Sequence, residues 1–297
     1  MSTQTPMKAL DMVFQSSKTL PFRVEIIRQV KRRRTLVAYL LMVALPLIVV
    51  AAVKLGPDSG DSGASTSGGG FGGGNLNLIG LATSSAWNFT IVLMLFGSGF
   101  LLTTVFALFH GDTIASEASW STLRYLLAAP VPRRRLLLIK MLVALVLSLG
   151  SIVTLAVSSY LIGLAAFGGG DLASPLGGTF GNSDAFVRVS VITAYIFMTL
   201  LFVSGLAFLM SVTTDAPLGA VGTAVMISIV LQILNALEAL GTIREYLPGW
   251  YADAWVGVLD PNISWGLMSR GVAYSIVAFA IFTAWAFFKF ERKDIYT

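Results

Sequence analysis

The sequence contains no cysteine and a single histidine, His110, in 297 residues. The lack of cysteine excludes disulfides and thiolate metal sites, and one histidine cannot form a histidine-ligated metal cluster within one chain. Charged residues make up 12% of the chain, whereas ordinary soluble domains carry roughly 25%. Hydrophobic residues make up 56%, and the mean hydropathy is +0.80. This composition places most of the chain in a lipid bilayer.

Sequence motifs of enzymes and of ion-driven carriers are also missing. A P-loop requires Gly-Lys followed by Ser or Thr, and no lysine here follows a glycine. A Ser/His/Asp triad or a catalytic carboxylate pair is not credible with His110 at the edge of a span. Secondary carriers usually hold ionisable groups at mid-membrane, and the apolar runs here carry none near their centres. We therefore expect no catalysis by this chain, and any uphill transport must draw its energy from another polypeptide.

Six apolar runs are long enough to cross a bilayer, which takes about 20 apolar residues. They are predicted at about 36–55, 87–110, 136–167, 186–211, 217–238 and 271–289. The predicted fold class is an all-α integral membrane protein that forms a single transmembrane domain of six helices. Pro46 predicts a kink in the first span. The fifth span is predicted to be capped by Thr214 or Asp215, with Pro217 in its first turn.

The basic residues predict the orientation of the chain. Sixteen of the twenty Lys and Arg residues lie before the first span, between the second and third spans, or after the sixth span. By the positive-inside rule these segments and both termini are cytoplasmic, as in a multi-pass protein of the plasma or inner membrane. The net charge of +5 is thus explained by membrane orientation, and no nucleic-acid partner is expected.

The segment before the first span, residues 20–34, is predicted to form an amphipathic basic helix. Phe22, Ile26 and Val30 recur at helical spacing, and Arg and Lys occupy most of the remaining positions. This pattern suits a helix that lies on anionic membrane lipid. Two interpretations stay open: a simple topology anchor, or an elbow helix that also touches a cytoplasmic partner.

Two segments on the external side differ in character. Residues 56–74 are rich in Gly and Ser, which is typical of a flexible linker, with a substrate lid as the alternative. Residues 239–270 hold three of the six tryptophans and two prolines, which favours short re-entrant helices at the membrane interface. This second segment is either an ordinary interfacial cap or an outer gate, for which the candidates are Trp250, Tyr251 and Trp255.

The cytoplasmic segment 111–135 is longer than a turn requires, since about five residues would suffice. Leu123, Leu126 and Leu127 recur at helical spacing. Asp112 or Thr113 is predicted to cap the start of this helix, with Glu117 near the positive end of its dipole. Pro130 and Pro132 are predicted to end it. A capped helix followed by three arginines favours a docking surface for a cytoplasmic partner over basic anchoring alone.

This segment resembles the permeases of ABC exporters of the second exporter type, which include drug-efflux, antibiotic-self-resistance and sodium-efflux permeases. The resemblance rests on the run Glu117-x-x-x-Ser121-Thr122-Leu123-x-x-Leu126-Leu127-x-x-Pro130-Val131-x-Arg133, followed by Lys140. Ser121 departs from the family pattern, which has glycine there. The tail from Phe290 to Ile295 and the external run with Leu247, Pro248, Tyr251 and Trp255 are similar to that family as well.

The resemblance implies a half-transporter. A second permease, identical or related, would pair with this chain, and two copies of an ABC ATP-binding subunit would bind ATP and Mg²⁺; this chain would bind no cofactor. The implied coupling residues are Glu117, Trp120, Thr122, Leu123, Leu126, Pro130 and Arg133. The implied substrate pathway follows the dimer axis along spans two and five, with Phe96, Phe100, Thr103, Met226, Ile229 and Gln232 as lining candidates.

The expected function is therefore that of a permease subunit for ATP-driven export of an amphipathic molecule. The apolar, charge-free spans favour a drug, an antibiotic or a lipid-like product over a small ion. The alternatives are a passive channel, a membrane-anchoring subunit, or a sodium or peptide efflux permease of the same family.

Overall fold

The computed structural model describes residues 22–55, 78–119 and 133–292, and these residues are almost entirely helical. The helices are α1 Phe22–Val30, α2 Arg33–Leu55, α3 Leu78–Ser84, α4 Ala86–Phe96, α5 Leu102–Ser119, α6 Arg133–Phe167, α7 Asn182–Thr213, α8 Pro217–Ala236 and α9 Trp265–Glu291. A π-helical turn, Gly97–Leu101, joins α4 to α5. In this part of the chain, six helices are long and apolar enough to cross a membrane. The prediction of an all-α, multi-pass membrane protein is confirmed.

The second span is longer than predicted, because α4, the π-helical turn and α5 form one unbroken helix from Ala86 to Ser119. Asp112 and Thr113 lie inside that helix and are buried, so the prediction that either one caps a new helix is wrong. Gly111 does not end the helix; it lets α8 pass close by. A Cβ atom at Gly111 would lie 3.0 Å from Val221 Cγ2.

The remaining spans differ from their predicted bounds at the ends. The residue before α8 is Ala216, with no side-chain cap, so capping by Thr214 or Asp215 is wrong. Instead, the Thr214 hydroxyl accepts a hydrogen bond from Ala216 N (3.3 Å), in the turn that precedes α8. Pro217 occupies the first turn of α8 as predicted. Helix α2 runs unbroken through the buried Pro46, and α9 begins at Trp265, six residues before the predicted start of that span.

The core of the bundle forms where α5, α6 and α7 face one another. Phe106, Leu155 and Ile192, one from each helix, are fully buried there. Helix α9 packs against α7, and a Cβ atom at Gly205 would lie only 3.1 Å from Phe279 Cα. Such close approach of small residues is how membrane helices gain packing contacts without a hydrophobic driving force.

One end of the bundle carries short elements. Strands β1 Leu172–Ala173 and β2 Thr179–Phe180 form a small antiparallel hairpin. Two 3-10 helices, Glu238–Tyr246 and Ala254–Val258, follow α8; that this segment is re-entrant stays a prediction. Arg188 of α7 joins these parts, because its guanidinium donates to Asp260 O (2.9 Å) and lies 3.7 Å from the centre of the Phe180 ring. The predicted linker at residues 56–74 falls outside the described residues.

Candidate functional site

Opposite charges gather at the other end of the bundle, where α1 crosses the ends of α5 and α6. Glu117 Oε1 of α5 lies 2.5 Å from Lys140 Nζ of α6. The same oxygen accepts from the Arg28 guanidinium of α1 at 2.7 Å. Arg28 also pairs with Glu25 at 2.8 Å, and Lys140 lies 3.4 Å from Glu25. These four residues, which we call the charge cluster, tie the amphipathic helix to two spans.

The charge cluster is buried to an unusual degree. The side chains of Lys140, Glu25 and Glu117 are 1%, 2% and 4% exposed, and that of Arg28 is 42% exposed. Removing an ion from water costs several kcal/mol unless opposite charges and hydrogen bonds compensate. Each carboxylate here contacts both cations, which supplies that compensation. The position of α1 on the bundle therefore depends on keeping these four groups together.

The electrostatics of α1 favour the ionised forms. Burial by itself raises the pKa of Glu25, but Lys140, Arg28 and Gln29 outweigh it and lower the pKa to about 2. Burial lowers the pKa of Arg28, and its bonds to Glu25 and Glu117 more than reverse that effect. Both groups are therefore charged at neutral pH.

A second ion pair adjoins the cluster. Asp112 of α5 pairs with Arg34 at the start of α2, and Arg32 lies 3.7 Å from the same carboxylate. Gln29 connects the two groups, since its amide donates to Glu25 (2.9 Å) and accepts from Arg34 (3.3 Å). The turn between α1 and α2 is thereby held against α5 at two points, Asp112 and Glu117.

The location of Glu117 corrects one expectation. Glu117 lies far along the continuous helix that runs from Ala86 to Ser119, and not near the positive end of a new helix. The helix dipole therefore does not supply the predicted stabilisation. Lys140 and Arg28 stabilise the charge instead.

The predicted coupling residues are only partly within the described ranges. Trp120, Thr122, Leu123, Leu126 and Pro130 fall outside them, and their assignment stays a prediction. Arg133 begins α6 and donates to Glu291 O at the end of α9 (3.2 Å). Sequence reasoning missed Arg28 as a partner of Glu117, and Glu25 as the second carboxylate that Arg28 and Lys140 share with Glu117. One feature of the sequence could have indicated a buried ion pair: Glu25 is the one acidic residue between Phe22 and Arg34.

The predicted pathway residues lie mostly on neighbouring surfaces of the second and fifth spans. Phe96 and Phe100 are each 61% exposed, and Met226 is 68% exposed. The two spans touch at the π-helical turn, where Gln232 donates to Gly99 O (3.1 Å). The other two candidates behave differently: Ile229 is 37% exposed and Thr103 only 3% exposed, with the Thr103 hydroxyl donating to Ser98 O (3.2 Å).

The predicted outer-gate residues do not share one surface. Trp255 is buried, at 1% exposure. Trp250 lies under the Arg244 guanidinium, 5.2 Å from ring centre to carbon. The backbone carbonyl of Tyr251 accepts the hydroxyl hydrogen bond of Tyr195 (2.5 Å). Asp253 lies between Tyr251 and Trp255 in sequence, and burial raises its pKa to about 7.

The comparisons with known proteins give a family without a known activity. A family model described as a protein of unknown function, DUF2705, matches residues 75–296 of the 297. No curated protein matches the chain. Within the described ranges, no group of three or more His, Asp or Glu side chains is arranged to hold a metal ion.

Proposed function

Because the chain belongs to the DUF2705 family, whose description names no activity, we propose its function from its own geometry. It is the membrane-spanning permease subunit of an ATP-driven ABC exporter. The observation that carries this proposal is the buried pair of Glu117 and Lys140. These are the glutamate and the later lysine of the exporter-like sequence pattern, and they lie in contact at the end of the bundle where the predicted coupling segment begins.

The charge cluster is suited to transmit a movement of a bound partner subunit to the membrane-spanning helices. The predicted coupling segment connects α5 to α6 in sequence, and a partner that binds it would act first on the facing ends of those two helices. Lys140 and Arg28 join both ends to α1. Because buried ion pairs tolerate little separation, the three helices move as a unit. We place two copies of an ATP-binding subunit, which hold ATP and Mg²⁺, beneath this end.

The proposal also includes a second permease, identical or related. In support, Phe96, Phe100 and Met226 expose apolar and aromatic surface on two adjoining spans, which are joined by the hydrogen bond from Gln232 to Gly99 O. A substrate that moves between two such surfaces would meet aromatic rings and thioethers without full charges. That surface suits an amphipathic drug, antibiotic or lipid-like molecule.

The orientation belongs to the same proposal. The charge cluster, the first turn of α6 and the end of α9 lie at one end of the bundle, and that end holds most of the basic residues. The positive-inside rule then puts this end, and both termini, in the cytoplasm of a cell bounded by a plasma or inner membrane. An ATP-binding subunit has access to ATP on that side.

The test is reconstitution of the tagged full chain with the ATP-binding subunit encoded nearest to it. We expect a stable complex whose ATPase activity is measurable after gel filtration, and dye efflux from proteoliposomes that requires ATP. The variants R133Q, at the surface, and E117Q, in the cluster, are expected to weaken both readouts. The matched control is D184N, which removes an exposed carboxylate at the start of α7, at the far end of the bundle.

Two results would contradict the proposal. One is flux through the purified chain that does not depend on ATP, which is the behaviour of a channel. The other is full assembly and ATP-driven efflux in both R133Q and E117Q, which would remove the coupling role from this end of the bundle.

A further inference from the structure

An open pocket of about 340 Å³ lies where α6 begins and α9 ends, apart from the charge cluster. Its lining residues are Arg134, Ala284, Phe287, Phe288 and Glu291. One side of the pocket is therefore aromatic and aliphatic, and its rim is charged. The first turn of α6 that supplies Arg134 leads directly to Lys140, so the pocket lies at the same end of the bundle as the charge cluster.

The rim of the pocket is organised by ion pairs and ring contacts. Both nitrogens of the Arg134 fork reach the Glu291 carboxylate, and Arg133 donates to Glu291 O. Arg292 stacks over the Phe288 ring, with its guanidinium carbon 3.9 Å from the ring centre. The Phe288 ring, which is 53% exposed, thus both lines the pocket and contacts a guanidinium.

Positive charge dominates this rim. Among the described residues, the helix ends that border the pocket carry Arg134, Lys289 and Arg292 against the carboxylate of Glu291. One carboxylate does not neutralise three cations. The surplus attracts an anion, and guanidinium forks fit phosphate oxygens well.

The apolar side of the pocket continues down α9. Ile281, Trp285 and Phe288 follow helical spacing, and each is between 53% and 57% exposed. In a membrane-spanning helix such a stripe faces hydrocarbon. A ligand that fills both parts must carry a negative charge at one end and a long apolar chain at the other.

We propose that this pocket binds an anionic phospholipid, with its phosphate at Arg134 and Arg292 and an acyl chain along Phe288, Trp285 and Ile281. Basic pockets between spans at the cytoplasmic side are recognised sites for acidic headgroups. The inference uses the membrane orientation that is part of the proposed function, but it does not depend on the proposed transport activity. Glu291 has a defined role in it, since the carboxylate holds Arg134 in place and also repels phosphate, which limits the affinity.

The experiment compares lipids on the purified full chain. The chain is stripped of lipid in neutral detergent and titrated with phosphatidylglycerol or phosphatidylcholine of the same acyl composition. Bound lipid is counted by native mass spectrometry. We expect phosphatidylglycerol to bind with higher affinity, and the double variant R134Q/R292Q to lose about fivefold in affinity for each removed cation. The matched control R270Q, an exposed cation at the opposite end of α9, is expected to bind as the unmodified chain does.

The variant E291Q separates a lipid site from a purely structural ion pair. With a lipid site, removing the carboxylate removes repulsion, and the affinity for phosphatidylglycerol rises. If the pair only holds α6 to α9, E291Q weakens folding and lowers lipid retention, and the proposal is overturned. This variant also carries the test if R134Q/R292Q fails to fold.

A soluble headgroup distinguishes a lipid from a free anion. Glycerol 3-phosphate at millimolar concentration is expected to displace little phosphatidylglycerol, because it lacks the chain that lies on Phe288. Full displacement by glycerol 3-phosphate, or equal binding of the two lipids by the unmodified chain, would show that the pocket is not an anionic phospholipid site.

Discussion

Lys140 Nζ and Glu117 Oε1 lie 2.5 Å apart in a site from which water is almost excluded, on two spans that follow one another in sequence. Twenty-three positions separate the two residues in sequence. Neither residue alone is tolerable at this depth, because a buried charge without a partner is strongly unfavourable. The pair therefore fixes the distance between the end of α5 and the start of α6.

A double-mutant cycle measures the interaction energy between Glu117 and Lys140. K140M alone is expected to destabilise the protein by about 3 to 5 kcal/mol, because it leaves Glu25 and Glu117 buried with only Arg28. E117Q/K140M is expected to cost less than the sum of its two single variants, since Glu25 and Arg28 still pair at 2.8 Å. Unfolding in detergent, followed by intrinsic fluorescence, gives the four free energies.

The control for this cycle is K54M, which removes an exposed lysine at the far end of α2. It is expected to change stability by no more than about 0.5 kcal/mol. Additive effects of E117Q and K140M would mean that the two side chains do not interact in the folded protein.

The acid stability of the chain depends on Glu25. Its pKa is about 2 in the folded protein and 4.5 ordinarily. A carboxyl with a lowered folded-state pKa contributes stability that is present above the ordinary value and is lost as the pH falls toward the folded value. The docking of α1 on the bundle should therefore weaken between about pH 4.5 and pH 2. Hydrogen exchange of the α1 amides, measured across this range, is the direct readout.

E25Q provides the comparison for that measurement. Its α1 is expected to exchange faster at neutral pH and to show a smaller change on acidification. An identical pH profile in E25Q and in the unmodified chain would assign the acid sensitivity to another group.

The sequence predicted the spans well and the contacts between their ends poorly. Apolar length alone identified six spans, because the bilayer imposes a minimum helix length. The end of the second span was missed because Gly111 and Asp112 look like a helix boundary. Asp112 can stay helical and buried because Arg34 reaches it from α2, and a partner that distant in sequence leaves no local signal.

In the candidate site, too, the sequence did not reveal partners that are distant along the chain. The sequence pattern singled out Glu117 and Lys140 together, but it could not show that Arg28 bonds to the same oxygen. Helix α1 has an amphipathic pattern that suits a membrane surface. Only its packed position shows that Glu25 and Gln29 face inward toward α6, because the apolar spacing does not specify which polar residues face the bundle.

The end of the bundle that carries Asp253 is expected to respond to pH in the opposite direction. Burial raises the pKa of Asp253 to about 7 from an ordinary 3.8. An acid with a raised folded-state pKa contributes stability that is present at low pH and is lost as the pH rises through the folded value. The segment around Asp253, which is held by the hydrogen bond from Tyr195 to Tyr251 O, should therefore loosen between about pH 4 and pH 7.

D253N tests this assignment, because asparagine stays neutral throughout that range. The protease sensitivity of the segment around Asp253 is expected to rise with pH in the unmodified chain and to stay flat in D253N. A rise of the same size in both proteins would exclude Asp253 as the cause.

The close crossing of α5 and α8 at Gly111 predicts that a larger residue there destabilises the protein. A Cβ atom at Gly111 would lie 3.0 Å from Val221 Cγ2 and 3.2 Å from Val221 N. The backbone atom cannot move aside as a side chain can, so G111A must shift one helix against the other. Overpacking of this kind costs about 1 to 3 kcal/mol.

Gly222, one residue after Val221 on α8, has no atom within 4 Å of the same test position. G222A should therefore be neutral or slightly stabilising, since alanine favours helix over glycine by up to about 1 kcal/mol. Thermal unfolding of the two variants in detergent should place G111A below the unmodified chain and G222A at or above it. Equal melting temperatures would mean that α8 does not cross α5 at Gly111.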